Sequence, residues 1–88
     1  MAENVIIKKI DEKELEKIKK WPIWTCEVKK FDWEYDSDEH CYIIEGRVIV
    51  TADGKEYEIK KGDYVIFKKG LRCFWDVKEN IKKHYNFY

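Results

Sequence analysis

The sequence of 88 residues predicts an all-β fold, an antiparallel sandwich or barrel that follows one short helix. Two observations support this prediction. From Trp24 onward, apolar residues alternate with polar ones, which is the period of a half-buried strand. Short apolar runs are separated by turn signals about every eight to twelve residues, among them ADGK, KKGD and KKG. The length suits one core, so a single domain over residues 1–88 is expected.

The first part of the chain, about 1–22, predicts a strand and a helix outside the barrel. VIIKKI has the composition of a short strand, and DEKELEKIKKWP that of a helix. Asp11 is the expected N-cap, with Glu14 at the spacing of a capping box, and Pro22 should end the helix.

The barrel is expected to occupy about 23–88, with eight short strands in the chain as a whole. Gly46 separates two of these strands, and KEN precedes the final one, IKKHYNFY. Several runs, such as YIIEG and LRCFW, are apolar on both faces. One face would fill the barrel and the other would meet a second layer or a second subunit, so a homodimer is expected.

Composition narrows the possible partners. Eighteen basic residues balance eighteen acidic ones, so the electrostatic attraction that drives nucleic-acid binding is absent. No apolar run is long enough to span a bilayer, and no signal peptide is apparent. Three irregularly spaced cysteines favour free thiols, and a cytoplasmic location is expected. Abundant Lys and Glu with no Gln is typical of thermophile proteins.

The order of residues from Asp32 to Val77 resembles the two-motif core of the cupins, which are small jelly-roll barrels (double-stranded β-helices). Glu39 precedes Gly46 by six intervening residues, as in the first cupin motif. Gly62, then Gly70 and Cys73, follow the spacing of the second. WPIW, FDWEYD, CYIIEGRVIVT, KKGDYVIFKKGLRCFW and KHYNFY are similar to short single-domain cupins of the ureidoglycine aminohydrolase cupin-domain type.

The resemblance implies a metal site, but most of its usual ligands are replaced. Of the four motif ligands only Glu39 is retained. The histidine and asparagine positions are occupied by other types: Trp33 and Tyr35 (or Asp32 and Glu34), Cys73 and Val77. Glu39 and Cys73 remain as candidate metal ligands, which is too few for tight binding. The cofactor expectation is therefore none, or a weakly bound divalent metal.

Strand alternation places Glu39 and Cys41 on the inner face, and His40 on the opposite one. If the two motif strands are neighbours, Cys41 and Cys73 share one pocket. Three interpretations stay open: the thiols are small core residues, they bind a soft metal with Glu39, or they form a redox or nucleophilic pair. His84 is expected on the face opposite Tyr85, and it is not a candidate site residue.

Aromatic residues are the expected wall of an internal pocket. With the inward polar groups, the predicted pocket residues are Trp33, Tyr35, Glu39, Cys41, Phe67, Cys73, Trp75 and Tyr85. Arg72 is a possible anion anchor at the rim. A barrel mouth with aromatic walls and few polar groups is a common site for small ligands. The alternative is that these rings simply fill a small core.

These observations favour a small-molecule-binding barrel with a degenerate metal site, and name no catalytic residue. One alternative, implied by the resemblance, is a metal-dependent enzyme acting on a small polar nitrogenous compound. Another is a structural module that associates with itself or with another protein.

Overall fold

The structure is a computed structural model that describes residues 4–88, so the first three residues of the predicted domain lie outside it. The described chain contains seven strands and one helix. In order they are β1 (Val5–Lys8), α1 (Glu12–Ile18), β2 (Ile23–Cys26), β3 (Lys30–Glu34), β4 (Glu39–Ala52), β5 (Lys55–Lys60), β6 (Tyr64–Phe67) and β7 (Arg72–Phe87).

Helix α1 begins where the capping residue predicts. The Asp11 carboxylate accepts a hydrogen bond of 2.9 Å from the backbone N–H of Glu14, which satisfies one of the free N–H groups of the first turn. Ile18 is buried, while most other side chains of the helix are exposed. The predicted N-cap and the short outer helix are thus confirmed.

All strands pair antiparallel, in the order β1-β6-β4-β7-β2, with β3 added to β7 and β5 added to β4. The two long strands β4 and β7 run side by side from the pair Glu39–Phe87 to the pair Ala52–Cys73. Shorter strands on both sides of them close the sheet around an apolar interior. The predicted all-β jelly roll with one short N-terminal helix is confirmed.

The prediction that Gly46 and KEN separate strands is wrong, because β4 and β7 both continue through these points. The register of their pairing shifts between Ile43 and Val48, which is the signature of a β-bulge. Gly46 has a φ of +98°, a conformation that glycine adopts without strain. The bulge lets the two strands turn together without losing their pairing. The two joined pairs reduce the expected eight strands to six, and β3, which was not predicted as a strand, makes seven.

The core consists of the inward side chains of β4 and β7 and of the strands around them. Ile43, Val48 and Val50 of β4 are fully buried, as is Ile59 of β5. Trp75 of β7 is the largest of the fully buried side chains. Alternation along β4 therefore separates an apolar interior from an outer face. None of the helices in residues 4–88 has the length and apolar character needed to cross a membrane.

Candidate functional site

An aromatic cavity of about 230 Å³ lies between β2, β3, β7 and the beginning of β4. Its lining residues are Trp24, Phe31, Trp33, Tyr35, Glu39, Trp75, Lys83, Tyr85 and Phe87. An apolar protein cavity of about 150 Å³ accommodates benzene, so this volume is enough for one ring with a substituent. We call this space the aromatic cavity.

Among the described residues, Glu39 and Lys83 are the only charged ones that line the aromatic cavity, and they form an ion pair. The Lys83 Nζ lies 3.0 Å and 3.2 Å from the two carboxylate oxygens of Glu39. Both side chains are only 5% exposed. Of the lysines in the described chain, Lys83 is the one that is buried. A buried lysine is rare unless it is paired, and here Glu39 supplies the partner.

Two tryptophans complete the surroundings of the Lys83 ammonium group. Its Nζ lies 4.8 Å from the ring centroid of Trp24 and 4.8 Å from that of Trp75. The two rings meet edge to face, with centroids 6.1 Å apart. The electron-rich faces of indole rings attract a cation. Glu39 and the two rings therefore hold the positive charge of Lys83 at a fixed place in the cavity wall.

Tyr35 lies next to this pair and stays protonated. Its ring stacks on Phe67, with centroids 4.9 Å apart and planes 8° apart. Burial raises the pKa of the Tyr35 hydroxyl, and the carboxylate of Glu39 raises this pKa further. At neutral pH Tyr35 therefore presents a neutral hydroxyl, which is a hydrogen-bond donor, close to Glu39.

The indole N–H of Trp75 is buried beside the thiol of Cys73. Its indole ring is 2% exposed and stacks on Phe31 at a centroid distance of 5.7 Å. Within the described residues, the indole Nε1–H has no hydrogen-bond partner. A buried donor without an acceptor costs free energy. The Cys73 sulfur, a weak acceptor, lies close enough to this N–H to offset part of that cost.

The structure brings together five of the eight predicted pocket residues: Trp33, Tyr35, Glu39, Trp75 and Tyr85 all line the aromatic cavity. Phe67 and Cys41 are fully buried in the core, and Cys73 is buried at the side of a separate open depression. Arg72 lies outside the aromatic cavity, along the same depression, and pairs with Glu34 at 3.3 Å.

The two predicted pocket thiols lie at different levels of the long β4–β7 ladder. Cys41 is opposite Tyr85, whereas Cys73 is opposite Ala52, near the other end. Burial raises the pKa of the Cys41 thiol to about 12 and that of the Cys73 thiol to about 11. Both are therefore protonated at neutral pH, which makes them poor nucleophiles, and a metal could bind them only by displacing the thiol proton.

These pKa values predict slow alkylation of Cys73 in the folded protein. Relative to an ordinary thiol, whose pKa is 9.0, a pKa of about 11 lowers the thiolate fraction at pH 7 about 100-fold. Iodoacetamide labelling, followed by peptide mass spectrometry, should modify Cys73 readily only after unfolding in guanidinium chloride. Rapid labelling of Cys73 in the native protein would contradict the buried position of its thiol.

The metal site implied by the cupin resemblance does not fit the residues present. The Glu39 carboxylate, which is the retained motif ligand, is already engaged by the ammonium group of Lys83. A metal would have to displace that cation and deprotonate Cys73. Residues 4–88 contain no group of three His, Cys, Asp or Glu side chains placed to hold a metal. The donor set therefore does not suit a resident metal ion.

Both histidines lie away from the aromatic cavity. The His40 Nδ1 and the Tyr64 hydroxyl share a hydrogen bond of 2.6 Å. Burial lowers the pKa of His40, so the neutral form is favoured. His84 forms a hydrogen bond of 3.0 Å with the backbone carbonyl of Trp21. Strand alternation had placed both on the outer face of their strands.

Sequence reasoning missed Lys83, together with three aromatic residues of the wall, Trp24, Phe31 and Phe87. A signal for Lys83 was present in the final strand. Tyr85 and Phe87 were assigned to one face, and a period of two places Lys83 on that face as well. A lysine at an inward position predicts a buried carboxylate partner, and Glu39 was already assigned to the interior.

Comparison with known proteins shows the family and the fold of this chain. Residues 13–85 match the family model of the EutQ-like cupin domain. A crystal structure of a DUF861 family protein from Thermotoga maritima is 53% identical in sequence, with a TM-score of 0.92. This similarity covers 96% of the present chain and 99% of that one.

More distant similarity is confined to the fold or to a short stretch. The Clostridium difficile EutQ protein is 23% identical, with a TM-score of 0.70, over 96% of the present chain and 67% of that one. An uncharacterized protein from Methanocaldococcus jannaschii is 48% identical over 31 residues. These residues are 35% of the present chain and span only a quarter of the length of that relative.

Proposed function

Since this chain belongs to the EutQ-like cupin family and its barrel contains an aromatic cavity, we propose that it binds a small molecule there. The single observation that supports this most is the open, ring-lined space above the Glu39–Lys83 pair. A core that only needed filling would not leave about 230 Å³ beside its two charged groups. The ligand is expected to contact the ion pair and the rings together.

The walls and the volume specify the shape of the ligand. Trp33 and Phe87 are about half exposed and form the mouth, whereas Trp75 lies at the buried end. Flat aromatic walls favour a flat ligand, because rings stack or meet edge to face. One six-membered ring with a short substituent matches the volume.

The polar groups specify the substituent. The ammonium group of Lys83 offers N–H donors, so the ligand should carry a hydrogen-bond acceptor. Glu39 balances the charge of Lys83, and a second carboxylate would be repelled by it. A neutral carbonyl group therefore fits better than an anion, and we propose a neutral single-ring carbonyl compound as the ligand class.

Benzamide is a suitable probe, because it has this shape and cannot react with an amine. Isothermal titration calorimetry should detect its binding to the wild-type protein, and benzoate should bind about ten-fold more weakly. The Trp33→Ala variant should bind benzamide about ten-fold more weakly, because a stacking wall of the mouth is lost.

Phe74→Ala is the matched control for this experiment. Phe74 is also an exposed aromatic residue, 37% accessible against 51% for Trp33, but it does not line the aromatic cavity. Its removal should change the affinity for benzamide by less than about two-fold. Absence of benzamide binding, or an equal effect of the two substitutions, would contradict the proposal and favour a structural role.

A further inference from the structure

We propose that Lys83 forms a reversible imine with an aromatic aldehyde bound in the aromatic cavity. This inference rests on the proposed binding of a neutral carbonyl compound, and it adds a covalent step at the same site. Lysine amines that react in this way in proteins lie in apolar pockets with a group that exchanges protons with them. Lys83 meets both conditions, and the exposed lysines of the chain do not.

The geometry favours reaction at one atom. The Nζ of Lys83 is held by Glu39 at 3.0 Å and by the faces of Trp24 and Trp75 at 4.8 Å each. A ring that enters between the aromatic walls has little freedom, so its carbonyl carbon is confined near this nitrogen. Confinement of two reacting groups raises the rate of their reaction by a large factor.

The proposed step balances without any oxidant or reductant. The Lys83 ammonium group transfers a proton to the Glu39 carboxylate, and the neutral amine then attacks the carbonyl carbon of the aldehyde. The C–N bond forms as the carbonyl π bond opens, and the protonated Glu39 returns the proton to the oxygen. Glu39 then removes a second proton from the nitrogen, which restores the nitrogen lone pair. This lone pair forms the C=N bond as the C–O bond breaks, and the hydroxyl group leaves as water with the proton from Glu39. A protonated imine and one water molecule remain.

The nitrogen of Lys83 is positively charged both before and after this step, which favours the product in a site that is built around a cation. The protonated imine carries the same charge as the ammonium group that it replaces, so the charge of Glu39 stays balanced. The two indole faces that surround the ammonium group also attract the cationic imine. Water adds back to release the aldehyde, so the link is reversible.

Reductive trapping with benzaldehyde and sodium cyanoborohydride tests the inference. Peptide mass spectrometry should find a benzyl group on Lys83 at a rate about ten-fold or more above that on Lys82, its neighbour in the sequence. The same reaction in guanidinium chloride should remove the preference. In the Glu39→Gln variant, shown to be folded by circular dichroism, trapping at Lys83 should fall about 100-fold.

The outcomes separate this inference from the proposed function. If benzamide binds to the wild-type protein but Lys83 is trapped no faster than Lys82, the imine is contradicted and the binding site stands. If benzamide does not bind to the wild-type protein, the proposed function is contradicted, and so is the imine that rests on it. Trapping that is fast at Lys83 but equally fast in the folded Glu39→Gln variant would contradict the role of Glu39 in proton transfer.

Discussion

Replacement of Lys83 by methionine is expected to destabilise the protein by about 3–5 kcal/mol, because it leaves the Glu39 carboxylate buried without a partner. Methionine has a similar length and keeps the apolar contacts of the side chain with Trp24 and Trp75. The loss therefore reports on the charge. Unfolding in guanidinium chloride, followed by circular dichroism, measures the change in the free energy of unfolding.

The double variant Glu39→Leu with Lys83→Met distinguishes two costs: that of leaving the Glu39 carboxylate buried without a partner, and that of losing the ion pair itself. With both charges removed, stability should return to near the wild-type value or exceed it, since desolvation of the pair largely cancels its attraction. Lys19→Met is the matched control, because Lys19 lies 3.0 Å from Glu16 but both are exposed. It should cost less than about 1 kcal/mol. A similarly small cost for Lys83→Met would contradict the burial of the pair.

Replacement of Gly46 by alanine is expected to cost about 3 kcal/mol or more, because two penalties coincide. A Cβ at this position would lie 2.2 Å from the backbone oxygen of Asn80, and backbone cannot move aside cheaply. The φ of +98° is also a strained conformation for alanine. The same denaturation experiment should show this loss as a lower midpoint.

Gly70→Ala is the control for the steric part of that effect. Gly70 has a φ of +88°, close to that of Gly46, but an added Cβ there would meet nothing within 4 Å. Only the conformational penalty applies, about 1–2 kcal/mol. Equal losses at the two glycines would contradict the close contact of β4 with Asn80 on β7.

The period of the apolar residues was enough to predict the all-β fold, the outer helix and the inward face of β4. It was not enough to predict the two long strands, because a glycine between apolar runs signals either a turn or a bulge. The sequence cannot choose between them, since the choice depends on the partner strand. Here β7 pairs on both sides of Gly46, and the pairing continues through the bulge.

The aromatic wall of the site could be predicted in part from the sequence, but the positive charge of Lys83 beside Glu39 could not. Trp33, Tyr35, Trp75 and Tyr85 could be assigned from alternation and from the cupin resemblance, which also retained Glu39. Lys83 could not be assigned from the resemblance, because the cupin motifs consist of metal ligands and glycines and include no lysine. The contact of Lys83 with Glu39 also joins residues that are not opposite each other in the ladder, where Lys83 pairs with Ile43.

The most direct test of the central claim, that a ligand binds in the aromatic cavity beside the Glu39–Lys83 pair, uses the four tryptophans as reporters. Trp24, Trp33 and Trp75 line the cavity, whereas Trp21 does not and serves as an internal reference. Their indole N–H signals are measured in a two-dimensional ¹⁵N–¹H spectrum and assigned with single Trp→Phe variants. Addition of benzamide should shift the three cavity signals and leave Trp21 unchanged. Unchanged cavity signals, or an equal shift of Trp21, would contradict the account.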